Sequence, residues 1–423
     1  MRYIPLISIF LLPTVVLGVP LDASPMAIRY DNHKLVNFKR SPEILKFVEE
    51  RGYDVWKNSQ EGLHVRVAPE ELELLKRFNY EVLIEDVQSE IDHEASEQRR
   101  VQLSKRAADW HASYHTYAEI VEWLKTLASS NPSLVNLVPS IGKSIEGRDI
   151  PAIRITSNTG GQKKQFWFQG LQHAREWISG ASMQYLADTL VTGYASDSSI
   201  KSLLDTYEFI IIPVSNPDGY NYSWTKDRLW RKNRRLVNSN VYGVDLNRNW
   251  PDHWNQGGAS SNPRDETYLG TSPGSEPEVA NLMKYYLQQT RIAGAIDFHS
   301  YGELIMWPYG WTQKQSPWNA EFTSLGKGMK SAVDQVNPNN RYVPQMDAAL
   351  YIASGGADDW FFGDQVSKKQ GFITTGLTVE LSPTSSSPGF VLPPAKIIPV
   401  GKDVVAMVKY FAQYVDKNPL IPK

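Results

Sequence analysis

The pattern of hydrophobic and polar positions changes its period several times between residues 31 and 87. Apolar residues recur at strand-like spacing in KLVNF, YDVWK, GLHVRV and YEVLIEDV, and at helical spacing in SPEILKFVEERG and APEELELLKRF. Ser41, Pro42 and Gly52 supply an N-cap, a first-turn proline and a stop for the first helix. Pro69 opens the second helix in the same way. The order β-α-β-β-α-β predicts a ferredoxin-like unit, a small sheet with two helices on one face.

A polar run, VQSEIDHEASEQRRVQLSKRAADW, separates this unit from the rest of the chain. It offers no apolar face that could be buried, so we expect residues 88–106 to form a linker. Dibasic pairs occur at Arg99 and Arg100 and at Lys105 and Arg106. Exposed segments between domains are common sites of proteolysis, so we expect cleavage after Arg106. The alternative is that such pairs occur by chance on a solvated surface.

Beyond about Ala107 the pattern becomes an alternation of longer strands and helices. The apolar runs QFWFQG, YEFIIIPVSNPDGY, IAGAIDFHSYG and FITTGLTVEL predict buried strands, and YAEIVEWLKTLA, ISGASMQYLADTLV and SEPEVANLMKYYLQQT predict helices. This alternation favours an α/β fold with a mixed, mainly parallel sheet covered by helices on both faces. Ligands bind beyond the carboxyl ends of the strands in such sheets, so functional residues are expected there.

The first 18 residues, MRYIPLISIFLLPTVVLG, have the pattern of a secretory signal peptide. Arg2 precedes an apolar run that ends in small residues. A membrane anchor is the alternative, but the run is shorter than the ~20 apolar residues that a spanning helix needs. We therefore expect a signal peptide over residues 1–18 and a secreted, extracellular protein.

The composition excludes several classes of function. The 423 residues are enough for two or three domains with a sizeable core. A net charge of −2, with 21% charged residues, gives no sign of a nucleic-acid partner. The chain has no cysteine, which excludes thiol catalysis, thiolate metal ligands and disulfides. Histidines and carboxylates must therefore hold any metal ion.

A candidate metal site follows the strand-like run FWFQG. His173 and Glu176 are three residues apart just before a predicted helix, so both side chains can reach one ion. This spacing alone is a weak signal, because such pairs are more often solvated surface groups. His299 ends another buried strand and would reach the same edge of the sheet, although a lone histidine is more often a core residue. Two histidines and one glutamate leave a position for water, which is typical of catalytic zinc.

Seven motifs occur in an order that resembles the zinc metallocarboxypeptidases of the pancreatic carboxypeptidase A/B type: QHAREW, NPDGY, RLWRKNR, GVDLNRNW, FHSYG, ALYIASGGADDW and TVELSP. The resemblance covers nearly the whole chain after the signal peptide. It implies an activation segment over residues 19–106, with a globular part at about 31–87 and a linker at 88–106. A carboxypeptidase-like catalytic domain over residues 107–423 would follow. The activation segment would mask the active-site cleft until it is cleaved.

The resemblance also implies the residues of the reaction. One zinc ion would be held by His173, Glu176 and His299. Glu380, at the end of the strand GLTVEL, would be the general base that activates water. Arg231, in RLWRKNR, would polarise the scissile carbonyl and stabilise the oxyanion. Asp245 would be the carboxylate that orients the first zinc histidine.

A second group implied by the resemblance binds the end of the substrate. Asn247, Arg248 and Tyr351 match residues that hold the terminal carboxylate of a peptide, and a guanidinium suits that task because it binds a carboxylate through two parallel hydrogen bonds. Arg175 matches a further arginine on the substrate side. This set implies an exopeptidase, because a peptide without a free carboxylate would leave Arg248 unpaired.

The preferred C-terminal residue is less clearly indicated. Asp358, in GGADDW, aligns with a pocket-floor position that is apolar in the A-type branch and aspartate in the B-type branch. A buried carboxylate needs a partner, which a substrate lysine or arginine would supply. Met346 and Thr378 look more A-like, so a preference for hydrophobic or aromatic residues is the alternative. We favour C-terminal lysine or arginine.

The sequence therefore predicts a secreted zinc carboxypeptidase, made as a latent precursor, that acts on the C-termini of peptides or proteins. We expect a monomer whose own pro-segment is its inhibitor, with no nucleic-acid or membrane partner. A catalytically inactive peptide-binding homologue is less favoured, because all the catalytic positions are present. An endopeptidase is disfavoured because the usual HExxH helix is absent. Asn221, in NYS, is a candidate for N-glycosylation.

Overall fold

The computed structural model describes residues 28–59, 62–104 and 109–421. The predicted signal peptide and the predicted cleavage site after Arg106 lie outside the described residues. Within the described ranges, no helix combines the length and the apolarity that crossing a membrane requires.

The N-terminal unit is a four-stranded antiparallel sheet with short helices, in the order of elements that the sequence predicts. Its strands lie in the order β2-β3-β1-β4. The elements are β1 (Lys34–Phe38), α1 (Pro42–Arg51), β2 (Asp54–Ser59), β3 (Gly62–Val67), α2 (Leu72–Leu75) and β4 (Tyr80–Ile84). The hydroxyl of Ser41 accepts a hydrogen bond from Ile44 N at 3.3 Å, and Gly52 ends α1 at a φ of 64°, which glycine adopts without strain. The second predicted helix is reduced to the single turn of α2 between two 3₁₀ turns.

The segment after this unit is a helix over most of its length, and the expectation that it offers no face to bury is wrong. Helix α3 spans Val87–Gln102. Its buried residues are Val87, Gln88, Ile91, Glu94 and Gln98. Most of these positions recur at helical spacing, so α3 does have a buried face, but polar residues make up much of that face.

The polar residues of this face are paired with distant parts of the chain. Glu94 accepts hydrogen bonds from the guanidinium of Arg228 at 2.6 and 2.8 Å. Gln98 exchanges hydrogen bonds with the backbone of Tyr114. These contacts allow polar groups to be buried, and a pattern of hydrophobic residues cannot reveal them.

The larger part of the chain is built on an eight-stranded mixed sheet in the order β13-β12-β14-β11-β7-β8-β6-β5. Its strands are β5 (Val135–Val138), β6 (Ala152–Ile155), β7 (Lys164–Gly170), β8 (Tyr207–Ile212), β11 (Ile292–Ser300), β12 (Leu304–Trp307), β13 (Val343–Met346) and β14 (Thr375–Leu381). A separate hairpin contains β9 (Leu236–Asn238) and β10 (Val241–Tyr242). The four central strands β14, β11, β7 and β8 are parallel to their neighbours in this group.

Helices cover both faces of the large sheet, as predicted. They are α4 (Tyr117–Ser130), α5 (Trp177–Gly193), α6 (Ser198–Thr206), α7 (Pro217–Thr225), α8 (Pro277–Gln288), α9 (Asn319–Val336), α10 (Ala357–Phe362), α11 (Asp364–Gln370) and α12 (Ile397–Lys417). Side chains of β7 alternate between two cores. Phe166 and Phe168 pack in the core that includes α5, α9 and α12, whereas Trp167 packs in the core that includes α8 and α10.

The N-terminal unit packs against the larger part through an apolar cluster. Trp56 and Tyr301 both contact the ring of Phe390, with ring centroids 5.1 and 4.9 Å apart. Leu229 belongs to the same cluster. The ends of β7, β11 and β14 lie near this interface, since His299 of β11 stands opposite Glu380 of β14 and Tyr301 follows β11 directly.

Candidate active site

The structure brings His173, Glu176 and His299 together, and these three residues are here called the metal cluster. One ligand atom from each lies within 4.8 Å of the others. His173 and Glu176 lie in the connection from β7 to α5, and His299 lies near the end of β11. All three are buried, with exposures of 4%, 2% and 1%. The Nδ1 atoms of both histidines point to the carboxylate of Glu176, at 2.8 and 2.9 Å.

The charges of the metal cluster hold Glu176 ionised. Burial alone would raise the pKa of Glu176, but His173 and His299 lower it below its ordinary value. Burial alone would lower the pKa of His299, but Asp297 and Glu176 raise it well above its ordinary value. Two imidazole nitrogens and one carboxylate that converge in a buried site are a donor set that fits Zn²⁺.

The other ring nitrogen of each histidine is held by a buried aspartate. Asp245 lies 3.0 Å from Nε2 of His173, and Asp297 lies 2.7 Å from Nε2 of His299. These contacts fix which nitrogen of each histidine would face an ion. Sequence reasoning found Asp245 but missed Asp297. The missed signal is that Asp297 stands two residues before His299 on β11, so both side chains point to the same face of the sheet.

Arg231 lies beside the metal cluster and is positioned by Asp245. Its guanidinium donates to Oδ2 of Asp245 at 2.8 and 3.2 Å, and its Nη1 is 3.9 Å from Glu176. The side chain is 12% exposed, so it is accessible from the site. Arg231 therefore places a positive charge next to the metal cluster.

Glu380 also lies beside the metal cluster, but it is not paired. It stands opposite His299 in the parallel register of β11 and β14. Its Oε2 atom is buried and has no hydrogen-bond partner among the described residues. Burial and the neighbouring Glu176 raise the pKa of Glu380 to about 8. An unpaired carboxylate with a raised pKa suits proton transfer near neutral pH.

Asn247, Arg248 and Tyr351 lie together next to this group. Nη2 of Arg248 donates to the hydroxyl of Tyr351 at 3.3 Å, and Nδ2 of Asn247 lies 3.4 Å from Nε2 of His299. Asp245 caps the turn that carries the first two residues by accepting a hydrogen bond from Asn247 N at 2.9 Å. The same aspartate thus ties Asn247, Arg248 and Tyr351, the predicted clamp for a terminal carboxylate and here called the carboxylate clamp, to the metal cluster.

Arg175 is not free to meet a substrate in this structure. Its guanidinium donates to Oδ1 of Asp54, in the N-terminal unit, at 2.7 Å, and stacks 4.0 Å from the ring centroid of Phe390. Arg66 also binds Asp54, at 3.0 Å. The positive charge of these arginines lowers the pKa of Asp54, although burial alone would raise it. Asp54 of the N-terminal unit thus pairs with Arg175, the arginine that was predicted to lie on the substrate side.

A cavity of about 810 Å³ lies between the N-terminal unit and the active-site residues. The larger part of the chain lines it with residues that include Glu176, Arg231, Tyr351 and Glu380. The N-terminal unit lines it with residues that include Tyr53 and Trp56. The unit therefore lies over the site and restricts access to it.

Asp358 lies in the first turn of α10 and is 1% exposed. Its Oδ2 atom has no hydrogen-bond partner among the described residues. Burial and the nearby Asp347 raise the pKa of Asp358 well above its ordinary value. Local hydrogen bonds therefore leave one oxygen of Asp358 without a partner in the described part of the chain.

Asn221, the candidate for glycosylation, lies in helix α7 and is half-buried. The hydroxyl of Ser223, two residues later in the same motif, is buried and donates to the carbonyl of Tyr220 at 2.7 Å. Its glycosylation stays a prediction.

Two family models match the chain. A model described as zinc carboxypeptidase matches residues 120–407, and one described as carboxypeptidase activation peptide matches residues 37–94. The first covers the metal cluster, the carboxylate clamp and Glu380. The second covers most of the sheet of the N-terminal unit and the first part of α3.

Curated relatives and solved structures agree with these models. The chain is 32% identical to carboxypeptidase A2 of Rattus norvegicus over 377 residues, which cover 86% of this chain and 88% of the relative. It is 34% identical to carboxypeptidase A1 of Homo sapiens over 372 residues, covering 85% and 86%. The fold is similar to thrombin activatable fibrinolysis inhibitor (TM-score 0.82, 29% identity, covering 92% and 100%). Carboxypeptidase A of Helicoverpa armigera has the same TM-score of 0.82, with 28% identity, covering 92% and 98%.

Proposed function

The chain belongs to the zinc carboxypeptidase family and carries that family's activation peptide, and from this premise we propose a secreted enzyme that releases C-terminal lysine or arginine. The enzyme is a metallocarboxypeptidase made as a zymogen. One observation carries the proposal: a two-histidine, one-glutamate cluster, an unpaired glutamate and an arginine–tyrosine clamp converge at one edge of the sheet.

The reaction we propose is the attack of water on the last peptide bond. His173, Glu176 and His299 would hold a zinc ion, which would act as a Lewis acid and lower the pKa of bound water to about 7. Glu380 takes the proton of the attacking water and delivers it to the leaving amine, because its free oxygen is poised beside the cluster. Arg231 stabilises the negative charge that develops on the carbonyl oxygen.

The carboxylate clamp restricts the enzyme to peptide ends. Arg248 offers two parallel donors to a terminal carboxylate, and Asn247 and Tyr351 add an amide and a phenol. Arg248 is buried, and no carboxylate lies within ion-pair distance of it among the described residues. A substrate with a free C-terminus supplies that carboxylate, and an internal peptide bond does not.

The preference for basic residues rests on Asp358. A buried carboxylate without a partner favours a ligand that brings a positive charge. The alternative is a preference for hydrophobic residues. Similarity to proteins named carboxypeptidase A favours this alternative, as does the half-buried Met346 at the end of β13.

Latency follows from the position of the N-terminal unit over the site. Two buried ion pairs hold it there, Asp54 with Arg175 and Glu94 with Arg228. Cleavage after Arg106 would release both acidic partners and free Arg175 for the substrate side. Secretion would be tested by sequencing the N-terminus of protein recovered from the culture medium, which should begin near residue 19.

The proposed activity is tested with blocked dipeptides that end in a free or an amidated C-terminus. Protein processed after Arg106 should release the last residue only from the free form, and a zinc chelator should abolish this release until zinc is returned. The uncleaved precursor should be far less active. Cleavage of the amidated peptide at an internal bond would contradict an exopeptidase, and full activity with chelator present would contradict a zinc enzyme.

A further inference from the structure

Three aspartates lie close together beside the carboxylate clamp. Asp347 begins the 3₁₀ turn Asp347–Ala349, four residues before Tyr351, and Asp358 and Asp359 lie in the first turn of α10. Asp359 is satisfied, because its carboxylate accepts hydrogen bonds from Gly310 N and Trp311 N at 3.0–3.2 Å. It therefore has a structural partner and is not available to a ligand.

The other two carboxylates lack a full set of partners among the described residues, although backbone N–H groups at the start of α10 donate to Asp358. Asp358 is 1% exposed, and no group in the described part of the chain hydrogen-bonds to its Oδ2. Among the described residues, Asp347 makes no side-chain hydrogen bond and no ion pair. Burial raises the pKa of Asp347 to about 6, and Asp347 is in turn the largest charge that raises the pKa of Asp358. A buried and a half-buried carboxylate that repel each other are both ionised more readily when a cation lies between them.

Gly310 leaves the space into which the side chains of Asp347 and of Asp359, the neighbour of Asp358 in α10, both extend. A methyl group built on Gly310 would lie 2.5 Å from Oδ2 of Asp347 and 3.2 Å from Oδ2 of Asp359. Asp347 thus extends over Gly310 toward the start of α10, although it belongs to a different segment of the chain. Any larger residue at position 310 would displace it.

The pair also adjoins the clamp for the terminal carboxylate. Asn247 Oδ1 accepts a hydrogen bond from Ala357 N at 2.9 Å, one residue before Asp358. A methyl group built on Gly356 would lie 3.0 Å from Oδ1 of Asp358 and 3.7 Å from Oδ1 of Asn247. Arg248 is the largest charge that acts on Asp347. The side chain of a bound C-terminal residue starts one bond from its carboxylate, so it can reach these aspartates.

We propose that Asp347 and Asp358 together form the floor of the pocket for the C-terminal side chain, and that they select arginine over lysine. This pocket floor (Asp347 and Asp358) rests on the proposed carboxypeptidase activity and goes beyond it by adding Asp347. A guanidinium has five N–H donors in a plane, so it can bind two carboxylates that approach from separate segments. It is also more weakly hydrated than the ammonium of lysine, so its burial costs less.

The test compares processed wild-type enzyme with Asp347→Asn, Asp347→Glu and Asp358→Asn on blocked dipeptides that end in arginine, lysine or phenylalanine. Wild-type enzyme should have its highest kcat/KM on arginine. Asp347→Asn should lower the arginine-to-phenylalanine ratio of kcat/KM by about 10- to 100-fold, because a hydrogen bond to a charged group is lost. Asp347→Glu keeps the charge and should recover part of the preference.

Asp334→Asn is the matched control, since Asp334 is a half-exposed aspartate in α9 that pairs with Lys330. Its ratio should equal that of wild type, and thermal unfolding should show that every variant is folded. An unchanged ratio in Asp347→Asn would overturn the two-carboxylate pocket while leaving the carboxypeptidase intact. No chelator-sensitive release of any residue by wild type would overturn the proposed function as well.

Discussion

The metal cluster and the pocket floor both contain buried carboxylates, but the two regions treat them in opposite ways. In the metal cluster, Glu176 lies between two histidines, and further aspartates hold the outer nitrogens of both rings at 2.7 and 3.0 Å. The neighbouring charges lower the pKa of Glu176. On the pocket floor, none of the described residues places a cation within ion-pair distance, and the pKa of each carboxyl group is raised.

The difference indicates which kind of ligand each region binds. Paired groups keep a fixed position before any substrate arrives, which suits the ligands of a resident ion. Unpaired buried carboxylates destabilise the free protein, and a ligand that brings positive charge removes that cost. Glu380 is an unpaired carboxyl group next to the paired ones, and we assign it to proton transfer.

The largest effect is expected from Glu380→Gln. The amide cannot accept the proton of the attacking water, so kcat should fall by about 10²- to 10⁴-fold. Zinc content should stay near that of wild type, because Glu380 is not part of the metal cluster. Kinetics on a blocked dipeptide together with metal analysis would check this. A variant that kept most of its activity would show that another group is the base.

Asp245→Asn should weaken zinc binding at the metal cluster, where the carboxylates are paired. The change removes the charge that holds His173 and Arg231, so zinc affinity should fall about 10- to 100-fold. Competition for zinc with a chromophoric chelator would measure this, with Asp334→Asn as the control. Unchanged affinity would mean that Asp245 serves Arg231 and the turn of the clamp alone.

Asp54→Asn should break a pair that spans the two units. Arg175 would lose its charged partner, so the precursor should hold its N-terminal unit less tightly, and its residual activity should rise by about tenfold. The assay compares uncleaved variant with uncleaved wild type. The processed forms provide the control, because cleavage after Arg106 removes residue 54 from both. A precursor as inactive as wild type would show that other contacts suffice for latency.

The smallest effect is expected from Asp403→Asn, which changes a carboxyl group remote from any ligand. Burial raises the pKa of Asp403 to about 7, above the ~4 of an unfolded aspartate, and Asn337 donates to it at 3.0 Å. The folded state therefore binds the proton more tightly, and this contribution to stability is lost as pH rises through 7.

The asparagine variant cannot lose a proton. The melting temperature of wild type should therefore fall further than that of the variant between pH 5 and pH 8. The expected difference is about 2–4 °C. Thermal unfolding at both pH values would measure it. Equal losses in the two proteins would show that Asp403 keeps its proton over this range or stays charged throughout.

The sequence was sufficient for most of the fold and for the metal cluster, because both depend on local patterns. Buried strands have continuous apolar runs, and residues that follow parallel strands meet at one edge of the sheet. The spacing of His173 and Glu176 and the position of His299 at a strand end therefore placed three ligands together.

The parts that sequence reasoning missed depend on long-range contacts between polar groups. Helix α3 was predicted as a linker because its buried face includes Glu94 and Gln98, whose partners lie 134 and 16 residues away. Asp347 follows an edge strand, and only the packing of its turn over Gly310 brings it to α10. No local pattern records that approach. Asp297 was the exception, because its alternation with His299 on β11 could have been recognised.

The account is tested most directly by kcat/KM of the processed wild-type enzyme on blocked dipeptides that differ only in a C-terminal arginine or phenylalanine, with and without a zinc chelator. It predicts faster release of arginine and no release of either residue when zinc is removed. Faster release of phenylalanine would contradict it. The carboxyl groups of the pocket floor would then be protonated and neutral, and they would not favour a substrate with a positive charge.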